Sequence, residues 1–189
     1  MKVIQLFRNE SQLIKSAAKN NREAQRRLYE RHSGKMLSIC RQYVKDLQYA
    51  EEVMLTGFFK VFTHLQDFKG EGSFEGWMRK IMIREAISFL RTQKKVEFCD
   101  ENIEENGGST DPVTSEFSAA HIQEMIDNLP EGYKMVFLLY AVEGYKHSEI
   151  AKMLKISEGT SKSQLFKARK MLKEKLELEK NTAYDTGKF

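Results

Sequence analysis

The stretch from Lys146 to Leu172, KHSEIAKMLKISEGTSKSQLFKARKML, restricts the fold more than any other part of the chain. Ile150, Ala151 and Leu154 share one face at helical spacing. Leu165, Ala168 and Leu172 repeat that pattern after an interval too short for another element. Two short helices joined by a tight turn are predicted, with Ser157 capping the second. Gly159, Thr160, Ser161, Lys162, Ser163 and Gln164 fill its first turns with small or hydrogen-bonding side chains, while Lys167, Arg169, Lys170, Lys173 and Lys175 add cations. A helix that enters a DNA groove needs both features: close approach of its N-terminal turns to base edges, and positive charge against the phosphates. A solvated helical pair is the plainer reading of the same residues. Lys146 cannot accept a hydrogen bond, so the cap of the first helix falls to Ser148 or to water.

The remainder of the chain is predicted to be all-α. Only two prolines and eleven glycines occur in 189 residues, the apolar residues recur at a period of 3.6, and no alternating strand pattern appears. Residues 11–19 and 22–31 read as short helices broken at Asn20-Asn21, and a third helix over Met36–Val44 ends near Asp46. Ala50–Leu65 forms a fourth, with Val53, Met54, Phe58, Val61, Phe62 and Leu65 inward and Glu51, Glu52, Thr56, Phe59 and Lys60 on the other face. Phe59 on that polar side is either a partner contact or a residue tucked under a neighbouring helix. QDFKGEGS, residues 66–73, is a loop, and Ser73 can cap the next helix.

That helix, Phe74–Lys95, is the second informative stretch. Trp77, Met78, Ile81, Met82 and Leu90 give an apolar face, and Lys80, Arg84, Ser88, Arg91 and Lys95 recur every three or four residues on another. Like charges at this spacing repel by a few tenths of a kcal/mol per pair, so the stripe points to an anionic partner or to a solvated cationic face. Trp77 is read as core or as a base-stacking platform. Residues 96–118 collect Glu97, Asp100, Glu101, Glu104, Glu105, Asp111 and Glu116 around glycines and Pro112, an acidic flexible linker. A second helical domain is predicted over 119–178, with Pro130 opening a helix, Tyr133–Val142 as its buried centre, Gly144 closing it, and a polar frayed tail over 179–189.

Several function classes fall away. Net charge is a mild +4, but two basic blocks flank the acidic stretch, which suggests two contacts with one polyanion. Cys40 and Cys99 lack metal or disulfide spacing, and His32, His64, His121 and His147 are scattered without a triad, so neither a metal, a cofactor nor an enzyme is expected. No segment approaches a membrane span, and MKVIQLFRNE lacks a signal-peptide core, which predicts a cytoplasmic protein.

The layout resembles that of the extracytoplasmic-function sigma factors, small members of the sigma-70 family of bacterial transcription initiation factors. The matching residues are Ala50-Glu51-Glu52-Val53 with Phe58 and Val61-Phe62; Phe74, Trp77, Ile81, Ala86, Leu90 and Arg91; Leu129-Pro130; and Glu149-Ile150-Ala151 with Gly159-Thr160, Lys162-Ser163 and Ala168-Arg169. The resemblance implies a region 2-like domain over 1–95 and a region 4-like domain over 119–178. Core RNA polymerase, through its β′ clamp helices and β flap, is an implied partner, together with promoter DNA and an optional anti-sigma factor. Glu51, Glu52, Leu55, Thr56 and Phe59 would meet the polymerase. Phe68, Lys69, Ser73, Lys80, Arg84, Ser88 and Arg91 would hold the minus-ten element, the loop Phe68–Ser73 capturing an unstacked base. Thr160, Ser161, Lys162, Ser163, Gln164, Lys167 and Arg169 would read the minus-thirty-five element. Leu55-Thr56 departs from a usual Gln-acid pair, Arg84 and Ser88 from Asn and Asp, and Ser161 and Gln164 from Val and Arg. A glutamine in place of arginine would favour adenine or water-mediated readout. The competing reading is a stand-alone helix-turn-helix regulator.

Overall fold

The structure, a computed structural model, describes residues 9–93 and 119–185, with side chains from 121 to 179 in the second segment. The acidic linker 96–118 lies outside the described residues, as do Lys94, Lys95 and Cys99. The chain falls into two compact units, Met1–Val96 and Glu97–Phe189. Among the described residues every element is helical, as expected.

In the first unit, α1 (Glu10–Ala17) starts where the Asn9 side chain accepts the Gln12 N–H, and it buries Leu13 and Ala17. Asn20 then turns the chain in the left-handed region, φ 61°, a conformation asparagine tolerates better than most residues. Asn21 caps α2 (Arg22–Tyr43) by accepting from Ala24 N–H. This single 22-residue helix replaces the two pieces expected over 22–31 and 36–44. Ala24, Leu28, His32, Met36, Ile39, Cys40 and Tyr43 form one buried stripe that passes straight through Ser33-Gly34. A lone glycine costs roughly 1 kcal/mol relative to alanine, too little to stop a helix whose buried face continues on both sides.

Asp46 caps α3 (Leu47–Thr63) at Tyr49 N–H, so this helix begins three residues before the expected start. A 3₁₀ turn over Leu65–Asp67 leads into the loop, where Gly70 and Gly72 take φ of 78° and 89°. Ser73 Oγ accepts the Gly76 N–H at 3.0 Å and opens α4 (Phe74–Gln93). Helices α2, α3 and α4 enclose Leu28, Met36, Val61, Met78, Met82 and Ile83. Gly57 permits the closest approach: a Cβ there would sit 2.3 Å from Met82 Sδ.

The second unit begins with α5 (Ala119–Asp127) and α6 (Glu131–Phe137), the latter capped at Pro130. Met135, Val136, Leu138 and Leu139 are buried, as the all-round apolar pattern predicts, but two details differ from expectation. The last turn, Leu138–Val142, widens into a π-helix, and Val142 ends it exposed. Lys134 is buried in this helix, its ammonium bonded to Asp127 Oδ1. Gly144, φ 74°, closes the segment. The helices α7 (His147–Leu154) and α8 (Glu158–Asp185) follow. Helix α8 continues to Asp185, past the expected end near Leu178, and His121 on α5 bonds Glu179 there at 2.6 Å.

Candidate nucleic-acid interface

The helix-turn-helix of the second unit is built by local chemistry at each end. At the start of α7 the Glu149 carboxylate accepts the Lys146 N–H at 2.8 Å, so the first turn is tied by its own third residue rather than by a hydroxyl cap. At its end Lys155 adopts φ 58°, ψ 46°, and the Ile156 N–H returns to Ala151 O at 3.1 Å. Ser157 Oγ then accepts the Thr160 N–H at 2.9 Å and starts α8, the cap predicted from sequence.

Helical phase decides which side chains α8 shows to solvent. Ser161, Leu165, Ala168 and Leu172 recur at i, i+4, i+7 and i+11 and form the inward stripe. Three residues expected to read bases therefore belong to the interior: Thr160 is 7% exposed, Ser161 0% and Gln164 6%. Their polarity is used or left inside. Ser161 Oγ lies 2.9 Å from His147 Nδ1, and Gln164 Oε1 is buried with no hydrogen-bond partner. Gln164, expected to read adenine, is thus packed in the interior of its unit and not on the outward face.

The opposite, outward face carries Gly159, Lys162, Ser163, Phe166 and Lys170. Lys162 and Lys170 are exposed, Ser163 is half-buried and donates to Thr160 O at 3.0 Å, and Phe166 is 45% exposed between the two lysines. Phe166 was given no role from sequence, where only polar and basic residues were weighed for the outward face. The same phase that places Ser161 inside would have placed it outside. Lys167 and Arg169 line the two flanks, the Lys167 ammonium 5.6 Å from the Tyr133 ring centroid and the Arg169 guanidinium 5.5 Å from that of Tyr140. His147 stacks on Tyr140 at 4.6 Å. Its pKa is held below the usual histidine value by burial, then by Lys162 and Arg169, against an opposing contribution from Glu158.

In the first unit, Lys80, Arg84, Ser88 and Arg91 are all exposed along one face of α4, as the spacing predicts. Glu85 on the flank is taken by Lys60 at 2.7 Å. At the head of α4 the rings of Phe68, Phe74 and Trp77 form a cluster with centroid separations of 5.2, 5.5 and 5.8 Å. Phe68 and Trp77 are half-buried in it, while Lys69 and Ser73 are exposed beside them. The Ser73 oxygen is already engaged as the cap.

The face of α3 that the sequence assigned to the polymerase is also solvent-facing. Glu51, Glu52 and Thr56 are exposed, Thr56 donating its hydroxyl back to Glu52 O at 3.0 Å. Leu55 and Phe59 are 54% and 69% exposed one helical turn apart, so Phe59 is not tucked under a neighbour within its unit. Cys40 is buried, and burial pushes its thiol up to about 12, which removes it as a nucleophile. Among the described residues no group of three His, Cys, Asp or Glu is placed to hold a metal, and no helix is long and apolar enough to cross a membrane.

Comparison with known proteins gives a consistent picture. The family model of Sigma-70 region 2 matches residues 28–96, and that of Sigma-70, region 4 matches residues 120–172. The ECF RNA polymerase sigma-E factor of Haemophilus influenzae is 24% identical over 178 residues, covering 87% of this chain and 94% of that protein. RNA polymerase sigma factor SigV of Bacillus subtilis is 27% identical over 144 residues, covering 75% and 84%. Among solved structures, the sigma factor RpoE in complex with the anti-sigma factor NepR from Bartonella quintana shares the fold with a TM-score of 0.50 at 16% identity, over 80% of this chain and 96% of that one. By the order and span of these matches, the chain belongs to the sigma-70 family of RNA polymerase sigma factors, in its extracytoplasmic-function group.

Proposed function

We propose that the protein is a dissociable, non-catalytic specificity subunit that directs bacterial core RNA polymerase to a set of promoters and works in the cytoplasm. The observation that carries this reading is the division of labour on α8: an inward apolar stripe fixes it on its unit, and an outward face of Gly159, Lys162, Ser163, Phe166 and Lys170 stands open at the N-terminal end. In a major groove the glycine and serine admit close approach, the lysines meet phosphates, and the phenyl edge suits a thymine methyl. The exposed cations of α4, with Lys69 and the aromatic cluster at its head, then take the strand that leaves the duplex at the minus-ten element.

Glu51, Glu52, Leu55, Thr56 and Phe59 supply the surface for the β′ clamp helices. Leu55-Thr56 stands where other members of the family place a polar pair, and exposed Leu55 and Phe59 add apolar area there, so this contact depends more on burial than on hydrogen bonds. The second unit meets the β flap. Since RpoE of B. quintana is held by NepR, an anti-sigma factor is a further partner of this reading. Purified core polymerase supplied with the protein and a library of genomic fragments should initiate at discrete sites that core alone does not use. Tight, sequence-selective binding of duplex DNA without core, and no new start sites with it, would instead identify a stand-alone regulator.

A further inference from the structure

Three elements meet at His147, the first residue of α7. Its Nδ1 lies 2.9 Å from the hydroxyl of Ser161, which is fully buried in the fourth residue of α8. Its ring stacks at 4.6 Å and 23° on Tyr140 in the π-helical turn. The guanidinium of Arg169, two turns further along α8, lies 5.5 Å from the same Tyr140 ring. The imidazole therefore joins the turn before the helix-turn-helix to the first turn of the helix that faces DNA. Gly159, Lys162 and Ser163, which stand on the outward face, are within two residues of the tethered Ser161.

The charged groups facing this imidazole are Lys162, Arg169 and Glu158, all from α8, while the π turn contributes the neutral phenol of Tyr140. Two cations, partial burial and a position at a helix N-terminus all disfavour an imidazolium. A phosphate that pairs with Lys162 offsets the positive charge facing the imidazole, and it acts well inside the screening length of about 8–10 Å. We propose that His147 is a positioning residue of the DNA-contacting helix and that promoter binding by this helix is linked to uptake of a proton at His147. This rests on the reading of α8 as the helix that meets DNA. The sign follows from linkage: a group with higher proton affinity in the complex than in the free protein strengthens binding as pH falls, from just above its bound pKa to just below its free one. Burial and the two cations hold the free value below that of an ordinary histidine, so the window is on the acid side of neutrality.

The test uses holoenzyme assembled from the full chain and a duplex carrying the upstream promoter element, with affinity measured from pH 7.5 to 5.5. Wild-type affinity should rise about three- to tenfold more than that of His147→Gln, the gain expected for a proton-affinity increase of half to one pH unit. The glutamine keeps a hydrogen-bonding group for Ser161 but does not titrate, so the readout is the slope of affinity with pH rather than its absolute value, while His147→Ala should be weaker at every pH. A parallel histidine titration by NMR on the wild-type chain needs no variant: the His147 midpoint should move up when duplex is added at low salt. Identical pH profiles for wild type and His147→Gln, or a midpoint that stays or falls on adding duplex, would overturn the inference. Absence of duplex binding by wild-type holoenzyme at all pH values would instead remove the promoter-binding reading on which it rests.

Discussion

Gly57→Ala tests the packing on which the first unit depends. The added methyl would lie 2.3 Å from Met82 Sδ and 3.0 Å from Met82 Cε, where ordinary contacts between such atoms are about 3.5–4 Å. Met82 is fully buried, so its thioether can move only by displacing other core side chains. In an exposed helix the change would stabilise by about 1 kcal/mol through helix propensity. Overpacking a core by a methyl costs about 1–3 kcal/mol, which outweighs that gain in most of its range. Net destabilisation of about 1–2 kcal/mol is expected, less than the worst overlap because methionine is adaptable. In a Met82→Ala background the clash is absent and the sign should reverse, leaving the propensity gain and a coupling energy of about 2–3 kcal/mol between the two positions. Urea unfolding followed by Trp77 fluorescence reads this unit alone, since Trp77 on α4 is the chain's single tryptophan. Equal stabilisation by Gly57→Ala in both backgrounds would refute the close approach of α3 and α4.

Other perturbations have separable outcomes. Lys155→Gly should stabilise the second unit by about 0.5–1 kcal/mol, because φ 58° strains a residue with a Cβ; thermal unfolding monitored by tyrosine signals would show it, and a loss of stability would contradict the left-handed turn. Asp127→Ala leaves the buried Lys134 ammonium without its carboxylate and should cost about 2–3 kcal/mol, below the full buried-pair penalty because Asp127 is partly exposed, whereas Lys134→Met should stay within about 1 kcal/mol. Faster hydrogen exchange of α6 amides in the first variant only is the expected signature. Phe166→Ala should cost about 1–3 kcal/mol of discrimination at one base position, while Gln164→Leu should leave base preference unchanged and hold or raise stability by removing an unpaired buried carbonyl. Competition binding with single-base variants of the duplex separates them, and the reverse outcome would mean that α8 turns its other face to DNA.

Much of the architecture was legible because it follows from period and punctuation. The two helices of the helix-turn-helix, the caps at Ser73 and Ser157, the stop at Gly144 and the cationic stripe of α4 as far as Arg91 are all local signals, and all appear where the residues place them. What was not legible depends on tertiary context. Helix α2 runs through Gly34 because its buried stripe outweighs one glycine, and the π turn at Leu138–Val142 leaves no mark in an apolar run. Ser161 and Gln164 were set on the outward face because polar residue types were weighed above helical phase, and the tether from Ser161 to His147 is a contact that only the fold brings together. Lys134 shows the same limit, since only the fold brings Asp127 to a buried ammonium.

Selection of active promoters from a randomised upstream library, transcribed by core polymerase with the protein, tests the account at its centre. The selected sequences should contain two constrained blocks at a fixed separation. Lys162→Ala with Phe166→Ala should relax the upstream block only, and Lys80→Ala with Arg84→Ala the downstream block only. A single constrained block, or the same loss from both pairs of substitutions, would contradict the assignment of one promoter element to each unit.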